Sequence, residues 1–310
     1  MTIKSLLRGV LYGLAFFVPG YLVLSNWKLE ALYPFIKEFA ELPIITELSK
    51  DFKTGIEFAG KDFEYFKQRY NNSSDNSHSI IPDFTNKKNW VWQRAEMEEK
   101  LAERIGRRQV GKRQLFLNYI EQYAPYALSE MAQSHIPASI TLAQGILETN
   151  AGKSYIARHA NNHFGIKCYR KRDFGKDGRI DDTDYYHDAL AYDCVRITDD
   201  NVYDRFHVYQ TPALSYRHHT RLLSGSRYNW MIRQYGDKVG EKCQVESHWF
   251  DTETVPYYAA WCIGLKKSGY ATSPKYAQKL AYLIETYELW RFDYQLLMRG
   301  LEDGKIGGLE

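Results

Sequence analysis

The sequence predicts an α+β chain that is mainly α: one helical domain carrying a small β-hairpin lobe, preceded by an N-terminal membrane helix and a helical stalk. Three observations predict it. An uncharged, mostly apolar run from Gly9 to Ser25 is flanked by Lys4 and Arg8 before and Trp27 and Lys28 after. Apolar residues recur at helical spacing through most of the remaining chain. That spacing gives way between Asp181 and Tyr209 to two β-prone runs, Tyr192–Thr198 and Val202–Tyr209, separated by Asp199-Asp200-Asn201, which is a hairpin pattern. The 310 residues are 44% hydrophobic and 25% charged, a globular composition that excludes a disordered chain and a multi-span membrane protein. With 41 basic and 38 acidic residues the net charge is +3, too small to argue for nucleic acid, and none is expected as a partner.

The apolar run lies at the low end of the roughly 17–25 residues that span a bilayer. No A-x-A-like site comes after it, and the basic residues precede it. It is therefore expected to be an uncleaved signal anchor, residues 1–28, with the N-terminus cytoplasmic and the rest exported. A cleaved signal peptide is the rival reading. The expected location is the inner (cytoplasmic) membrane, single-pass, with the main domain in the periplasm. From Leu29 to Tyr70 the apolar positions Leu32, Ile36, Phe39, Phe58, Phe63 and Phe66 read as a helical stalk, and Asn71–Ser79 (NNSSDNSHS) as a polar linker. Stalk and linker together cover residues 29–84. A charged connecting helix is expected within 85–113, with Arg107, Arg108, Lys112 and Arg113 read as a solvated basic face.

The main domain is expected over 114–295, with a tail at 296–310. Leu115, Leu117, Ile120, Tyr123, Ala127 and Met131 place a buried helix over Gln114–Ser134. Proline suits the first turn of a helix, so Pro137 starts the next one, which runs through Glu148 and is stopped by Gly152. After the hairpin, helical spacing returns at Leu214–Leu223, Val255–Ser268 and Pro274–Tyr287. An exported chain meets an oxidising compartment, where four cysteines permit two bridges. The expected pairs are Cys168–Cys194 and Cys243–Cys262, since each encloses one local unit; four reduced, buried thiols are the alternative.

Glu148 is the first candidate for chemistry. At the C-terminal end of a helix, the helix dipole and partial burial both disfavour its carboxylate form, and a carboxyl kept protonated can donate a proton to a leaving glycosidic oxygen. Gly152-Lys153-Ser154 imitates the end of a P-loop, but position 147 is Leu where Gly is required. His218 and His219 are adjacent and point apart on a helix, and no H-E-x-x-H or C-x2-C spacing occurs. No metal or cofactor is expected.

Residues 137–167, PASITLAQGILETNAGKSYIARHANNHFGIK, closely resemble the signature of bacterial N-acetylglucosaminidases of glycoside hydrolase family 73, the flagellar-muramidase and autolysin type. The resemblance resumes at Phe206–Tyr209, Ser215-Tyr216, Tyr228 and Gly269–Tyr276, and covers about Gln114 to Asp293. It implies a lysozyme-like fold with a groove for peptidoglycan glycan between an α-lobe and a β-lobe. It places the catalytic glutamate at Glu148 and a second carboxylate on the hairpin, where counting back from Phe206 gives Asp193 in place of the usual glutamate. Asp184 and Asp188 are nearby alternatives. Asn161, Asn162 and Phe164 match the family's NN-x-FGIK element, and Tyr270 and Tyr276 its GYAT-x-P-x-Y element. These are expected to shape the substrate groove, with turn chemistry for the asparagines and core packing for the tyrosines as the competing roles. The implied activity is an endo-β-N-acetylglucosaminidase cutting the GlcNAc–MurNAc β-1,4 bond, by an inverting or a substrate-assisted route. A wall-binding scaffold without turnover, a muramidase and a lytic transglycosylase are the alternatives. Expected partners are glycan strands, the membrane and an envelope assembly machine.

Overall fold

The computed structural model describes residues 65–70, 91–105, 110–197, 203–246 and 252–302. The expected anchor and the Asn71–Ser79 linker lie outside these residues. Among the described residues no helix is long and apolar enough to cross a membrane. The chain divides into two units, Met1–Glu57 and Phe58–Glu310, and all the described residues belong to the second.

Helices dominate that unit. The charged helix α1 (Arg94–Ile105) leads to α2 (Val110–Ser134) and α3 (Ala138–Thr149). Ala138 to Ile146 of α3 are all buried, so an element that is apolar nearly all round is the central helix of the fold, in contact with α2 on one side and three C-terminal helices on the others. Those three are α7 (Tyr257–Lys267), α8 (Tyr276–Thr286) and α9 (Trp290–Glu302), the last running past the expected domain end at 295. Between α3 and α7 come α4 (Tyr155–Ala160), α5 (Pro212–Leu223) and α6 (Asn229–Tyr235). A glycine inside α3 has a packing reason: a Cβ on Gly145 would stand 2.4 Å from the Tyr119 hydroxyl of α2, so only Gly lets the two helices approach this closely.

Pro137 opens α3 as expected but provides no side-chain cap. The cap comes from 154 residues away: Asp293, in the first turn of α9, accepts the Ser139 backbone N–H at 2.8 Å and the Ser139 hydroxyl at 2.5 Å. The Tyr257 hydroxyl donates to the same carboxylate at 2.5 Å. Burial pushes the Asp293 carboxyl up to about 6, against the three donors, which act to lower it.

The β-lobe lies between α4 and α5. Strand β3 (Asp193–Arg196) pairs antiparallel with β4 (Arg205–Val208), Asp193 opposite Val208 and Cys194 opposite His207. This is the expected hairpin, shorter than its β-prone runs. A second ribbon, β1 (Tyr169–Arg170) with β2 (Tyr185–Tyr186), adds to the lobe. The Cys168–Cys194 disulfide fastens β3 to the segment entering β1.

Three expectations need correction. Cys243 and Cys262 do not pair: both are free, buried thiols, Cys243 near Glu241 and Lys238 and Cys262 deep in α7 near Glu285. They serve as small apolar residues. A third ribbon, β5 (Lys242–Glu246) with β6 (Thr252–Pro256), stands where only helix was expected, and α7 begins at Tyr257 instead of Val255. Finally, Arg113 of the expected solvated face is buried, its guanidinium donating to the Leu101 carbonyl at 2.5 Å.

The end of the expected stalk is also part of this unit. Residues 65–70 are helical, with Phe66 and Tyr70 buried in the core. Arg69 pairs with Glu285 near the end of α8, and the Tyr70 hydroxyl donates to the same carboxylate at 2.5 Å.

Candidate active site

Glu148 is the penultimate residue of α3. Beyond it Asn150, Ala151 and Gly152 take positive φ values of 49°, 54° and 78°, a left-handed stop that turns the chain away and leaves Glu148 at the rim of the domain. Thr149 holds this turn: its hydroxyl donates to the Gly145 carbonyl at 2.6 Å and accepts the Gly152 N–H at 2.8 Å. Glu148 presents exposed surface, yet its carboxyl lies among enough protein that desolvation raises its pKa above the ordinary carboxylate value. A hydrogen bond from Tyr276 opposes that rise.

Tyr276, the first residue of α8, donates its hydroxyl to Glu148 Oε1 at 3.0 Å. The Tyr276 hydroxyl oxygen in turn accepts from Gln144 Nε2 at 3.0 Å. Gln144 lies one turn before Glu148 on α3 and is fully buried, so both ends of this small chain are set by one helix. Tyr276 is stacked on Tyr270, with centroids 5.7 Å apart and planes at 24°. Tyr270 stands edge-on to His219 at 6.1 Å, and His219 is stacked on Phe164 at 3.9 Å. A row of rings thus leads from the loop after α4 to the carboxyl. Burial holds His219 neutral by lowering it to about 3.

The Tyr270 loop is pinned from outside by side-chain donors. Arg227 Nε reaches the Ser268 carbonyl at 2.7 Å, Trp230 Nε1 the Ser268 hydroxyl at 2.9 Å, and Lys266 Nζ the Ala271 and Thr272 carbonyls.

The asparagines are structural in their contacts. Asn161, with φ 49°, caps α4 and donates to the Tyr209 carbonyl at 2.9 Å. Asn162 is fully buried: its Nδ2 donates to the Ile166 and His207 carbonyls, and its Oδ1 accepts the Ile166 N–H. Together they tie α4 to β4. Asn162 and Phe164 are both buried.

The three carboxylates considered on the β-lobe are placed differently. Asp184 closes the turn before β2, its two oxygens accepting the Gly175 and Asp181 N–H groups. Asp188 is in an ion pair with Arg221 and lies 3.9 Å from His218. Burial acts to raise it, but the Leu190 N–H and these two neighbours hold it below the ordinary value. Asp193 is exposed at the start of β3, and its Oδ1 accepts only the N–H of Cys194, at 2.7 Å, among the described residues. No hydrogen bond or ion pair among the described residues joins Asp193 to Glu148. The structure therefore brings Glu148, Tyr270 and Tyr276 together, gives Asn161, Asn162 and Phe164 structural contacts, and leaves Asp193 on the separate hairpin.

Two members of the site do not stand out in the sequence. Gln144 falls inside the family-like stretch 137–167, but no role is read for it there, and it otherwise only stands four residues before Glu148 on the same helix face. His219 reads there only as half of an unsuitable metal pair; its neighbour His218 turns the other way, to the hydroxyls of Tyr209 and Tyr169. Among the described residues no cluster of His, Cys, Asp or Glu is arranged to hold a metal.

Residues 124–289, more than half of the chain, match the glucosaminidase family, described as mannosyl-glycoprotein endo-beta-N-acetylglucosaminidase. The exo-glucosaminidase LytG of Bacillus subtilis is 27% identical over 186 residues, which are 60% of this chain and 55% of that protein. The chain thus spans about half the length of this curated relative. A peptidoglycan hydrolase from Sphingomonas sp. A1 is 25% identical, covering 62% of this chain and 99% of that one, with a TM-score of 0.36. The glycoside hydrolase domain of Salmonella typhimurium FlgJ is 19% identical, covering 61% and 98%, also with a TM-score of 0.36.

Proposed function

The chain belongs to the glucosaminidase family, and on that premise we propose that it is a glycoside hydrolase of peptidoglycan that cuts the GlcNAc–MurNAc β-1,4 bond with Glu148 as general acid. One observation carries the reading: Glu148 is an exposed residue whose carboxyl is nevertheless desolvated, raised in pKa and oriented by Tyr276. An acid must be open to substrate and still protonated near neutral pH, and few carboxyls meet both conditions.

Asp193 is the second carboxylate in this reading. Asp184 and Asp188 are committed to a turn and to Arg221, whereas Asp193 is exposed and free to meet a water. As a base that activates water it would serve an inverting route, whereas a substrate-assisted route would not need a second carboxylate in that role. The curated relative is named an exo-enzyme and the family an endo-enzyme; the reading proposed for this chain is endo. The chain is proposed to sit in the inner membrane through residues 9–25 with this domain in the periplasm, and the disulfide accords with an oxidising compartment.

The test is mass spectrometry of soluble products from purified peptidoglycan digested by the protein and by Glu148→Gln. Reducing GlcNAc ends that disappear in the variant support the assignment. Muramic-acid or anhydro ends move it to another bond. Early release of long oligosaccharides marks endo action, and disaccharides alone mark exo action. A folded protein that binds glycan and releases nothing is a scaffold.

A further inference from the structure

Gln144 and Tyr276 set a direction of hydrogen bonding that the assignment of Glu148 does not require. The Gln144 amide nitrogen can only donate, so at 3.0 Å from the Tyr276 oxygen it makes that oxygen an acceptor. The single hydroxyl proton of Tyr276 is then left for its other partner, Glu148 Oε1. An oxygen already accepting from Tyr276 is the poorer place for the acid's own proton. We infer that Gln144 is a positioning residue for the general acid: through Tyr276 it fixes the transferable proton on Glu148 Oε2, the oxygen turned away from Tyr276.

The surroundings make this arrangement hard to replace. Gln144 is fully buried in the central helix, and its Oε1 has no partner among the described residues. Tyr276 cannot turn away easily, being buried and stacked on Tyr270. The titratable groups that face Glu148 are Tyr276 from α8 and Tyr270 from the loop before it. Burial raises both phenols well above their ordinary value, so neither charges where the enzyme would work, and the directions of their hydrogen bonds are what remain to act on the acid.

The proposal rests on Glu148 being the acid, and its test separates the two claims. Gln144→Met keeps the length and removes the donor; Gln144→Glu keeps the shape and, once ionised, can only accept, which would turn the Tyr276 proton away from Glu148. With the full chain and soluble-product release as assay, Gln144→Met should lower kcat about five- to tenfold with KM within about twofold, as for one hydrogen bond acting through a second group. It should also move the alkaline limb of the kcat/KM profile upward. Gln144→Glu should be closest to wild type at low pH and lose activity as its own carboxyl ionises. In a Tyr276→Phe background the Gln144→Met effect should vanish.

Wild-type kcat and pH profiles in both variants, or effects additive with Tyr276→Phe, overturn the role of Gln144 and leave Glu148 untouched. Full activity in Glu148→Gln overturns the underlying assignment instead. Should both Gln144 variants melt below assay temperature, the unsubstituted protein carries the test: in 15N-glutamine-labelled chain the Gln144 side-chain amide should shift as Glu148 titrates, and should cease to do so in Tyr276→Phe. An amide indifferent to that titration overturns the proposal.

Discussion

At the scale of single residues, the proposed acid Glu148 is held between two opposed influences. Desolvation raises Glu148 and the Tyr276 hydroxyl lowers it, so removing the hydroxyl should let the pKa rise further. Tyr276→Phe is expected to shift the alkaline limb of kcat/KM to higher pH while reducing kcat, which a pH–rate series measures; a downward shift would contradict Tyr276 as the donor to Glu148. Glu148 was legible in the sequence because motif, helix end and residue type agreed on one position. No role could be read for Gln144, although it lies in the family-like stretch, or for His219, because each meets the site through a neighbour that is distant in sequence, Tyr276 for one and the Phe164–Tyr270 stack for the other. Asn162 was legible as special, but residue type alone could not divide turn chemistry from sugar contact; its four hydrogen-bonding directions, all turned inward to the loop and β4, do so.

Among elements, the hairpin that carries Asp193 is anchored by a covalent bond placed next to that residue. The Cys168–Cys194 bridge closes a separation of 26 residues, which corresponds to about 3.5 kcal/mol in the chain-entropy description. Cys168→Ser with Cys194→Ser should lower the melting temperature, and turnover at temperatures where the protein remains folded should fall as well if Asp193 on β3 is the second carboxylate, as proposed. Equal turnover in the reduced and oxidised forms would dissociate Asp193 from the reaction. The central helix yields a separate expectation. Asp293 caps α3 with a carboxyl pushed up to about 6 from its ordinary 3.8, so its contribution to stability is full below about pH 4 and is lost as pH rises through about 6. The loss amounts to about 3 kcal/mol, from the free-energy value of a pKa unit. Urea titrations should show that fall in the wild type and its absence in Asp293→Asn. The β5–β6 ribbon shows why one element was missed. Buried Cys243 and Val245 alternate with exposed Lys242, Gln244 and Glu246, a period of two over only five residues, beside a stretch in which helical spacing was already the rule.

For the molecule as a whole, the packed unit reaches further toward the N-terminus than the helical domain expected from residue 114. The polar stretch Asn71–Ser79 has the composition of a linker, and composition cannot reveal that Phe66 and Tyr70 before it are buried against the helices after it. A protein starting at residue 85 loses those two rings and the Arg69 and Tyr70 partners of Glu285. Removing a buried Phe alone costs about 3–5 kcal/mol, so this truncation should melt well below one that retains residues 58–84, as differential scanning calorimetry would show; equal melting points would make the packing of 65–70 incidental. At this scale too, removing residues 1–28 should move the protein from the membrane to the soluble fraction of fractionated cells.

The cap on α3 has a consequence in time. Glu148 receives its hydrogen-bonding partner from 128 residues downstream, and its helix receives its cap across 154. With Glu148 as the proposed acid, activity is expected to be withheld until nearly the whole domain exists and has closed upon itself. A chain clipped by a protease before Asp293 would carry Glu148 without the means to hold it. The dependence of α3 on the last helix would act as a proofreading of completeness.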